Sequence, residues 1–556
     1  MPAWVRAFHG LLEGYDWIEL VMVTAPDAEL PRVSGVAWGL RAFVALEHFL
    51  LGENRSLASV PMSPDPKLPA AADAAGPLPQ RLNALSPDLV ILAGTQSWAT
   101  ALADQLTSSC WHLDAGLLDK RHAGLSLLGP MLRRETATRM ALMLQESSGA
   151  SIELSASWGK TRATSFLKQR EDAFRKLPAL LLRALHRLAA EGAFKEHQSL
   201  ATLRLQPQAP LGHAAALHAL LSVVRASPRW LTGWIRNPRV GWTLVLRLGG
   251  APLNPDAPVI GSHALLKAPK GWWGDPFVVM AEDRRLLFVE EMADPRLKKA
   301  NIACVELTSG GARRLGIALE EPGHLSFPQV FPWQGQWYLT VESGHDRRVS
   351  LYQAAAFPME WVRIADLITD RVCVDPTLHH HDGHWYLFVN VAENNNNTCD
   401  ELFLFVADNL EGPFAPHPAS PIVCDVRRAR MAGQLFHRNG RLIRPAQDCG
   451  PGYGNAVVFH EVLELSPTTY RERPLGRLAP RLTRNVDGCH TYNADGGIEV
   501  LDVLGRPPSR TAYVEVLDVS ASGAAHGRVP SPIQRSAAIP VIPATGNPVH
   551  PGSPPR

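Results

Sequence analysis

The sequence lacks long apolar runs, a strong charge imbalance and any paired-cysteine motif, and each absence excludes a class of protein. No stretch approaches the roughly 18 uninterrupted apolar residues of a transmembrane helix, so we predict no membrane span. Lysine and arginine total 55 against 53 acidic residues, which leaves a net charge of +2. Because nucleic-acid-binding chains carry a basic excess, this balance predicts no nucleic-acid partner.

Cysteines are few and irregularly spaced. The seven cysteines stand at positions 110, 304, 373, 399, 424, 449 and 489, and none forms a CxxC pair. This spacing favours reduced thiols over a disulfide framework or a zinc site. The opening MPAWVRAFHGLLEGYDWIELVMV is not typical of a signal peptide, because acidic residues and a tryptophan interrupt its apolar stretch. We therefore expect a cytoplasmic protein with no metal and no cofactor.

Residues 1–200 have the alternating pattern of an α/β domain. The short apolar run PDLVILAGT ends in glycine, as buried parallel strands often do. The segment RKLPALLLRALHRLAAEGAF places four leucines on one helical face and ends at a glycine. The pattern predicts an α/β layer domain, followed by a connector over residues 201–262.

A repeat of roughly fifty residues then begins, a period typical of propeller blades. Its copies start at Asp275 (DPFVVMAEDRRLLFVEE), Phe327 (FPQVFPWQGQWYLTVES), Asp375 (DPTLHHHDGHWYLFVNV), Gly433 (GQLFHRNGRLIRPAQD) and, more weakly, Gly488 (GCHTYNADGGIEVLDV). Each joins two strands through a tight turn, and the QG, DG and NG turns suit the positive φ of two-residue hairpins. Five copies predict an all-β five-bladed β-propeller over residues 263–510. The Pro-rich tail, residues 511–556, is expected to be disordered.

Polar residues recur where the repeats open, which is where the innermost strand of a blade meets one face of the channel. They are Asp275; His324 and Ser326; Asp375 and Thr377; Arg428, Arg430 and Gln434; and His490 and Thr491. Glu342, Arg444, Gln447 and Asp448 end second strands and are candidates for the same rim. A polar ring on otherwise apolar strands indicates a ligand site at the channel mouth.

Such a ring suits a polyhydroxylated ligand. Carboxylates accept hydrogen bonds from vicinal hydroxyls, and Trp272, Trp273 or Tyr453 would stack on the apolar face of a sugar ring. If the ring is catalytic, two carboxylates across the channel would act as acid and base, or as acid and nucleophile. The candidate catalytic residues are Asp275, Asp375 and Glu342.

Five motifs in this region together resemble a known family. They are GWWGDPFVV, HLSFPQVF with WYLTVES, VDPTLHHHDGHWYLF, ARMAGQLFHRNGRLIRPAQDCGPGYG and GCHTYNADGG, and they span residues 268 to about 505. They are similar to the propeller domain at the N-terminus of plant glucosamine inositolphosphorylceramide transferase, in which the glycosyltransferase domain is a separate C-terminal unit. The resemblance implies a propeller that takes part in glycan chemistry.

The repeat also resembles the five-bladed furanosidase-type glycosidases, whose first-blade aspartate is a base or nucleophile. Asp275 matches that position. Those hydrolases usually carry an Asp-Pro in the second blade and a catalytic glutamate in the third, where this sequence reads SFPQ and VDPT. Hydrolysis by Asp275 with a second carboxylate therefore stays an alternative.

In the N-terminal half, PDLVILAGT and CWHLDAGLLDKRHAGLSLLGP resemble the formyltransferase fold. In that family a strand ends in Asn-x-His, and an aspartate follows downstream. Here His112 stands in place of the asparagine, Asp114 in place of the histidine, and LQESSGASIEL has no aspartate at the matching place. We predict a degenerate, pseudoenzyme-like domain, whose first strand is absent or lies upstream of a misassigned start. His112 and Asp114 stay candidates for a different site.

The sequence thus predicts a protein that handles a sugar, nucleotide-sugar or glycoconjugate through its propeller channel, in glycosyl transfer or glycan biosynthesis. One alternative is a non-catalytic binding or scaffold protein with a pseudo-formyltransferase domain. The other alternative is the glycoside hydrolase described above.

Overall fold

The structure is a computed structural model with an N-terminal α/β part and a larger β part. It describes residues 3–12, 15, 18, 77–92, 102–113, 127–145, 151–191, 241–393, 397–479, 486–505 and 513–518. Asp114, most of the expected connector and the tail beyond residue 518 lie outside these ranges. None of the helices within the described ranges is long and apolar enough to cross a membrane.

The N-terminal part is a four-stranded sheet with helices against it. The helices are α1 (Ala3–Leu12), α2 (Leu78–Leu85), α3 (Leu128–Arg133) and α4 (Phe166–Glu191). The strands are β1 (Leu89–Leu92), β2 (Ser109–Leu113), β3 (Ala137–Gln145) and β4 (Ser151–Lys160), in that spatial order. Strands β1 and β2 are parallel, and β3 and β4 continue the sheet antiparallel. The formyltransferase resemblance stays a prediction, because Asp114 and the loop after it are outside the described residues.

Helix α4 carries the core of this part on one face. Leu177, Leu180, Leu181 and Ala184 are fully buried, and they belong to one apolar cluster with Trp111 of β2. This is the face that the leucine spacing predicts, since residues three and four apart share one side of a helix.

Within the described residues, five mainly antiparallel sheets make up the β part. The last sheet contains two early strands, β5 (Trp242–Leu248) and β6 (Ala264–Leu266). The first blade has β7 (Trp272–Ala281), β8 (Arg284–Met292), β9 (Asn301–Thr308) and β10 (Gly311–Leu319). The second has β11 (Ser326–Trp333), β12 (Gln336–Ser343), β13 (Arg348–Ala356) and β14 (Glu360–Ile368). The third has β15 (Cys373–His381), β16 (His384–Val391), β17 (Leu402–Ala407) and β18 (Ala415–Pro416).

The remaining two blades complete the ring. The fourth has β19 (Arg430–Met431), β20 (Phe436–Arg438), β21 (Arg441–Asp448), β22 (Ala456–Leu465) and β23 (Tyr470–Leu478). The fifth joins β24 (Val486–Gly488), β25 (Tyr492–Asp495) and β26 (Ile498–Gly505) to β5 and β6. Inner strands of neighbouring blades contact one another from β7 through β11, β15 and β19, and β25 contacts β7. The sheets therefore close as the five-bladed propeller that the repeat predicts.

Two predicted boundaries need correction. Strand β5 lies inside the expected connector, 201–262, yet it pairs antiparallel with β26 from Leu248↔Ile498 to Trp242↔Leu504. The apolar run WTLVLRL thus completes the last blade with chain from before the first one. Within the expected tail, 511–556, strands β27 (Tyr513–Val514) and β28 (Val516–Asp518) pair in parallel with β6 and β10. This short segment therefore runs along the outer strands of the fifth and first blades.

The hairpin turns have the backbone that their sequences predict. Asp382 and Gly383 have φ values of 47° and 84°, and Asn439 and Gly440 have values of 53° and 75°. Positive φ at both central residues is the conformation that Asp-Gly and Asn-Gly turns adopt most easily. These turns set the register of each blade, and the register decides which residues reach the channel.

Candidate functional site

The inner strands of the first three blades open with the same strained backbone. Asp275, Phe327 and Asp375 have left-handed φ values of 44°, 51° and 50°, and each precedes a proline. The ladder of hydrogen-bonded pairs is interrupted at each of these positions. Bulges of this kind redirect a side chain, and non-glycine residues keep positive φ only where the surroundings impose it. In the second blade the redirected side chain is Phe327, which packs edge-on against Phe277 with 5.0 Å between ring centroids.

A second set of polar residues faces these bulges from the neighbouring strand. Glu290, Glu342 and Asn390 pair with the residues just before the bulges of the first, second and third blades. Glu342 Oε2 accepts the backbone N–H of Asp375 at 3.2 Å, and Asn390 Oδ1 accepts that of Met431 at 3.2 Å. Each of these two side chains therefore holds the opening of the next blade.

Asp502 of the fifth blade likewise holds the opening of the first blade, where the ring of blades closes. Its Oδ2 accepts the backbone N–H of Asp275 at 3.0 Å, and its Oδ1 accepts those of His490 and Thr491, each at 3.0 Å. The Asp502 side chain is completely buried, and these donors replace the hydrogen bonds that it loses to water.

Asp275 lies in a compact polar network with the fifth blade. Thr491 Oγ1 donates to Asp275 Oδ1 at 2.5 Å, and His490 Nδ1 lies 3.6 Å from the same oxygen and 2.6 Å from Asp502 Oδ2. Burial, opposed by His490 and helped by the charges of Glu290, Asp375 and Asp502, raises the pKa of Asp275 to about 7. Burial opposes the charge on His490, but Asp502 and Asp275 outweigh it and raise the pKa of His490 to about 9.

The ligand atoms of Asp275, His490 and Asp502 lie within 4.8 Å of one another, a spacing that would suit a metal ion. The donors are already used, however. Asp502 accepts three backbone N–H groups, and His490 Nδ1 already lies 2.6 Å from Asp502 Oδ2. We therefore interpret the cluster as a buried ion pair.

Asp375 lies in the second network, formed with the fourth blade. Arg430 binds its carboxylate with Nε at 2.7 Å and Nη2 at 3.3 Å, and Gln447 Nε2 donates to it at 2.9 Å. The forked guanidinium matches the geometry of a carboxylate. Because Arg430 and Gln447 hold Asp375 from two directions, its orientation is determined before any ligand arrives.

Glu342 stands beside this pair. Its pKa is raised well above the usual carboxyl range by burial and by the Asp375 charge, although Arg430 lies 3.8 Å away and opposes the rise. A carboxyl whose pKa is raised in this way is a candidate general acid.

Aromatic rings cover the two networks. Trp242 stacks on His490 at 3.8 Å between ring centroids, and the Arg430 guanidinium lies 4.8 Å from the centroid of Tyr453. Gly454 has φ 62°, and a Cβ there would lie 2.8 Å from Trp242 and 3.1 Å from His490. Glycine is therefore required for the loop to pack this closely.

Solvent exposure increases from Asp375 through Arg430 to Tyr453. Asp375 is 2% exposed, Arg430 is 8% exposed and Tyr453 is 47% exposed. Of these three residues, Tyr453 is thus the one that solvent reaches most easily.

The structure brings together most of the residues that the sequence analysis selected. The two networks and their cover contain Asp275, Glu342, Asp375, Arg430, Gln447, Tyr453, His490 and Thr491. Three others lie near them. His324 binds Glu290 at 3.2 Å, the Thr377 hydroxyl bonds to the Asp375 carbonyl at 3.3 Å, and Ser326 is buried opposite Glu342.

Four predicted residues lie elsewhere. Arg444 is completely buried, and it forms an ion pair at 2.7 Å with Glu472, on strand β23 of the same blade. Arg428 is half-buried and pairs with Asp425 and Glu472, each at 3.5 Å. Asp448 binds Arg477 and the Gly450 N–H. Trp273 is buried with its Nε1 on Glu291 at 2.9 Å, so no ligand can stack on it.

Sequence reasoning missed Trp242, Glu290 and Asp502. Trp242 was hidden because its strand lies before the first repeat. Glu290 had a detectable signal, since it occupies in LLFVEE the place that Glu342 occupies in YLTVES. Asp502 lies within the corresponding strand of the weak fifth repeat, where the alignment is least clear.

Several solved structures are similar to the chain at low identity. A family 117 glycoside hydrolase from Zobellia galactanivorans has 14% identity and a TM-score of 0.31, over 42% of this chain and 84% of that one. A Bombyx mori GH32 beta-fructofuranosidase has 14% identity and a TM-score of 0.32, over 42% and 55%. These scores are too low to support a common function.

Similarity to sequenced proteins is closer and lies in the propeller. Glucosamine inositolphosphorylceramide transferase 1 of Oryza sativa subsp. japonica is 31% identical over 212 residues, 37% of this chain and 28% of that protein. The Arabidopsis thaliana protein of the same name is 32% identical over 209 residues, 37% and 27%. The chain therefore spans less than a third of the length of these relatives.

A family model confirms the resemblance that the five motifs predict. Its description reads "Glucosamine inositolphosphorylceramide transferase 1, N-terminal", and it matches residues 254–498. That range contains Asp275, Glu342, Asp375, Arg430 and His490, although Trp242 and Asp502 lie just outside it. Residues 254–498 of this chain are thus similar to the N-terminal region of glucosamine inositolphosphorylceramide transferase 1.

Proposed function

We propose that the propeller binds a sugar, nucleotide-sugar or glycoconjugate at the mouth of its channel and acts in glycosyl transfer or glycan biosynthesis. The observation that carries this proposal is the equivalent placement of Asp275 and Asp375 in two blades. They occupy equivalent bulges, and each is held by its own cation and hydroxyl or amide donor.

The chemistry of the two networks supports a polyhydroxylated ligand. Asp275 has a pKa of about 7, so it accepts or donates a hydrogen bond as the ligand hydroxyl requires. Arg430 carries a positive charge behind the exposed ring of Tyr453, which suits a sugar that bears a phosphate or another anionic group. The relatives named above are sugar transferases by name, which agrees with such a ligand.

A glycoside-processing reaction is a second candidate, favoured by the raised pKa values of two acids. The pKa of Glu342 is raised well above the usual carboxyl range, and the pKa of Asp275 is raised to about 7. In such a reaction Glu342 would protonate the leaving oxygen, and Asp275 would attack the anomeric carbon or activate a water molecule.

The cytoplasmic location expected from the sequence stays part of the proposal.

The test compares wild-type protein with Asp275→Asn and Asp375→Asn, using a panel of sugar nucleotides and aryl glycosides. We expect wild type to bind at least one sugar nucleotide by calorimetry and both variants to weaken that binding at least tenfold. Asp408→Asn is the matched control, since Asp408 is an 84% exposed aspartate far from these networks. No binding of any sugar by wild type would refute the proposal.

Turnover separates the two candidates. Release of the aryl group by wild type, and its loss in Asp275→Asn, would support glycoside processing. Binding of a sugar nucleotide without aryl release would support a role in transfer or recognition. Sugar binding that Asp275→Asn and Asp375→Asn leave unchanged would place the ligand site elsewhere.

A further inference from the structure

Two cysteines from different parts of the third and fourth blades meet beside the Asp375 network. Cys399 precedes β17, and Cys449 follows β21. Both are free thiols, and they pack in one small cluster with Trp158 of the N-terminal part. Cys399 packs against the buried residues of this cluster, among them Cys449, and the Cys449 thiol lowers the pKa of Cys399.

Each cysteine also contacts one of the two residues that hold Asp375. Arg430 Nη1 donates to Cys399 Sγ at 3.7 Å, while the same guanidinium binds Asp375. Cys449 Sγ lies 3.7 Å from Gln447 Oε1, whose amide nitrogen donates to Asp375. The dithiol is therefore connected to the candidate site through both partners of its acid.

The two thiols are chemically unequal. The hydrogen bond from Cys449 and the nearby Arg430 lower the pKa of Cys399 to about 6, although burial opposes this. The pKa of Cys449 is raised well above the usual thiol range, by the hydrogen bond to Cys399 and by burial. By contrast, burial raises the pKa of Cys110, Cys304, Cys373, Cys424 and Cys489 to about 12 in each case. A thiolate beside a protonated thiol is the arrangement of a reactive and a resolving cysteine.

We infer that Cys399 and Cys449 are an oxidation site, at which a peroxide converts the dithiol into a disulfide. The Cys399 thiolate attacks one peroxide oxygen, the O–O bond breaks, and hydroxide leaves and takes up a proton as water. The resulting Cys399 sulfenic acid is attacked by the Cys449 sulfur, which forms the S–S bond. A second water molecule leaves with the Cys449 proton and the sulfenic hydroxyl, so hydrogen peroxide is reduced and the two thiols are oxidised.

Oxidation would alter the surroundings of Arg430 and Gln447, the two residues that hold the Asp375 carboxylate. Arg430 would lose an anionic neighbour, because a disulfide sulfur carries no charge, and the Cys449 sulfur, 3.7 Å from Gln447 Oε1, would no longer carry a hydrogen. We expect the orientation of Asp375 to relax and ligand binding to weaken severalfold. This consequence for binding rests on the proposed function, whereas formation of the disulfide does not.

The test treats the whole chain with a small excess of hydrogen peroxide and then blocks remaining thiols with iodoacetamide. The expected mass change is the loss of two hydrogen atoms, with peptides containing Cys399 and Cys449 joined, and dithiothreitol should reverse it. In Cys449→Ser, dimedone should trap a sulfenic acid on Cys399. Cys424→Ser is the matched control, since Cys424 is also only partly buried as a residue, and it should behave as wild type.

Different results would overturn the inference. Oxidation of Cys424 at the same rate as Cys399, or a disulfide that leaves out Cys449, would do so even if the variants failed to fold, because both are measured on wild type. If the disulfide forms but sugar binding is unchanged, only the connection to Asp375 is refuted. If wild type binds no sugar yet forms the disulfide, the proposed function fails and the oxidation site stands.

Discussion

The carboxylate of Asp502 accepts the backbone N–H of Asp275 at 3.0 Å and so joins the last blade of the ring to the first. The same carboxylate binds His490 Nδ1 at 2.6 Å. One buried aspartate thus supports both the closure of the propeller and the candidate site, which makes the stability of the fold and the geometry of the site inseparable here.

Replacing Asp502 should therefore be costly. Asp502→Ala would leave three backbone N–H groups and the His490 cation without their acceptor in a buried place, and we expect a loss of about 3 to 5 kcal/mol. Urea unfolding followed by circular dichroism measures this. Asp408→Ala, at an exposed position, should change the free energy of unfolding by less than about 0.5 kcal/mol. Equal effects of the two variants would contradict this role for Asp502.

The contact between helix α4 and the propeller should depend on a buried ion pair. Lys176 Nζ lies 2.6 Å from Asp400 Oδ2, with both side chains almost fully buried, and also donates to Ser157 Oγ at 2.9 Å. Lys176→Met would leave Asp400 unpaired and should destabilise the protein by about 3 to 5 kcal/mol. Calorimetric unfolding would detect this loss.

The control for Lys176 is Lys299→Met, which breaks a more exposed pair with Glu320 at 2.8 Å, a distance close to the 2.6 Å of Lys176 and Asp400. It should cost less than about 1 kcal/mol. Adding Asp400→Leu to Lys176→Met should recover part of the stability, because no unpaired charge then remains buried. A double variant less stable than Lys176→Met would argue against the unpaired charge as the cause.

Stability should depend on pH through His490. Its pKa rises from 6.5 to about 9 in the folded state, because Asp502 and Asp275 outweigh burial. A raised pKa means that the folded state binds the proton more tightly, so this contribution is complete below pH 6.5 and is lost as the pH rises through 9. The difference in unfolding free energy between wild type and His490→Asn should therefore shrink across that window. A difference that is constant with pH would show that His490 is not the titrating group.

The loop that carries Tyr453 should tolerate no side chain at Gly454. Gly454→Ala adds a Cβ that would meet Trp242 at 2.8 Å, at a φ of 62° that itself costs an alanine roughly 1 to 2 kcal/mol. We expect weaker sugar binding with little change in the rest of the fold. Gly440→Ala is the control, since its φ is 75° but its Cβ would meet nothing within 4 Å. If both variants bind equally well, the packing under Tyr453 does not matter to the ligand.

The sequence by itself determined the repeat, the hairpin turns and the identity of the acids that open the blades. These are local properties. A DG turn prefers positive φ, and the side chains of a strand alternate between its two faces. The Asp-Pro pairs at Asp275 and Asp375 can be read directly from the sequence. Most members of the two networks could be selected from this pattern, as Arg430, Gln447 and His490 were.

Only the tertiary structure decided how those residues are partnered. Asp502, Trp242 and Cys399 meet the site through contacts between residues far apart in the chain, and no local pattern encodes such contacts. From the sequence, Arg444 and Arg430 were equally good candidates for the site. In the structure Arg444 binds Glu472 of its own blade, whereas Arg430 binds Asp375. Which way a side chain turns depends on blade register and ring closure, and both arise from packing of the whole propeller rather than from any single repeat.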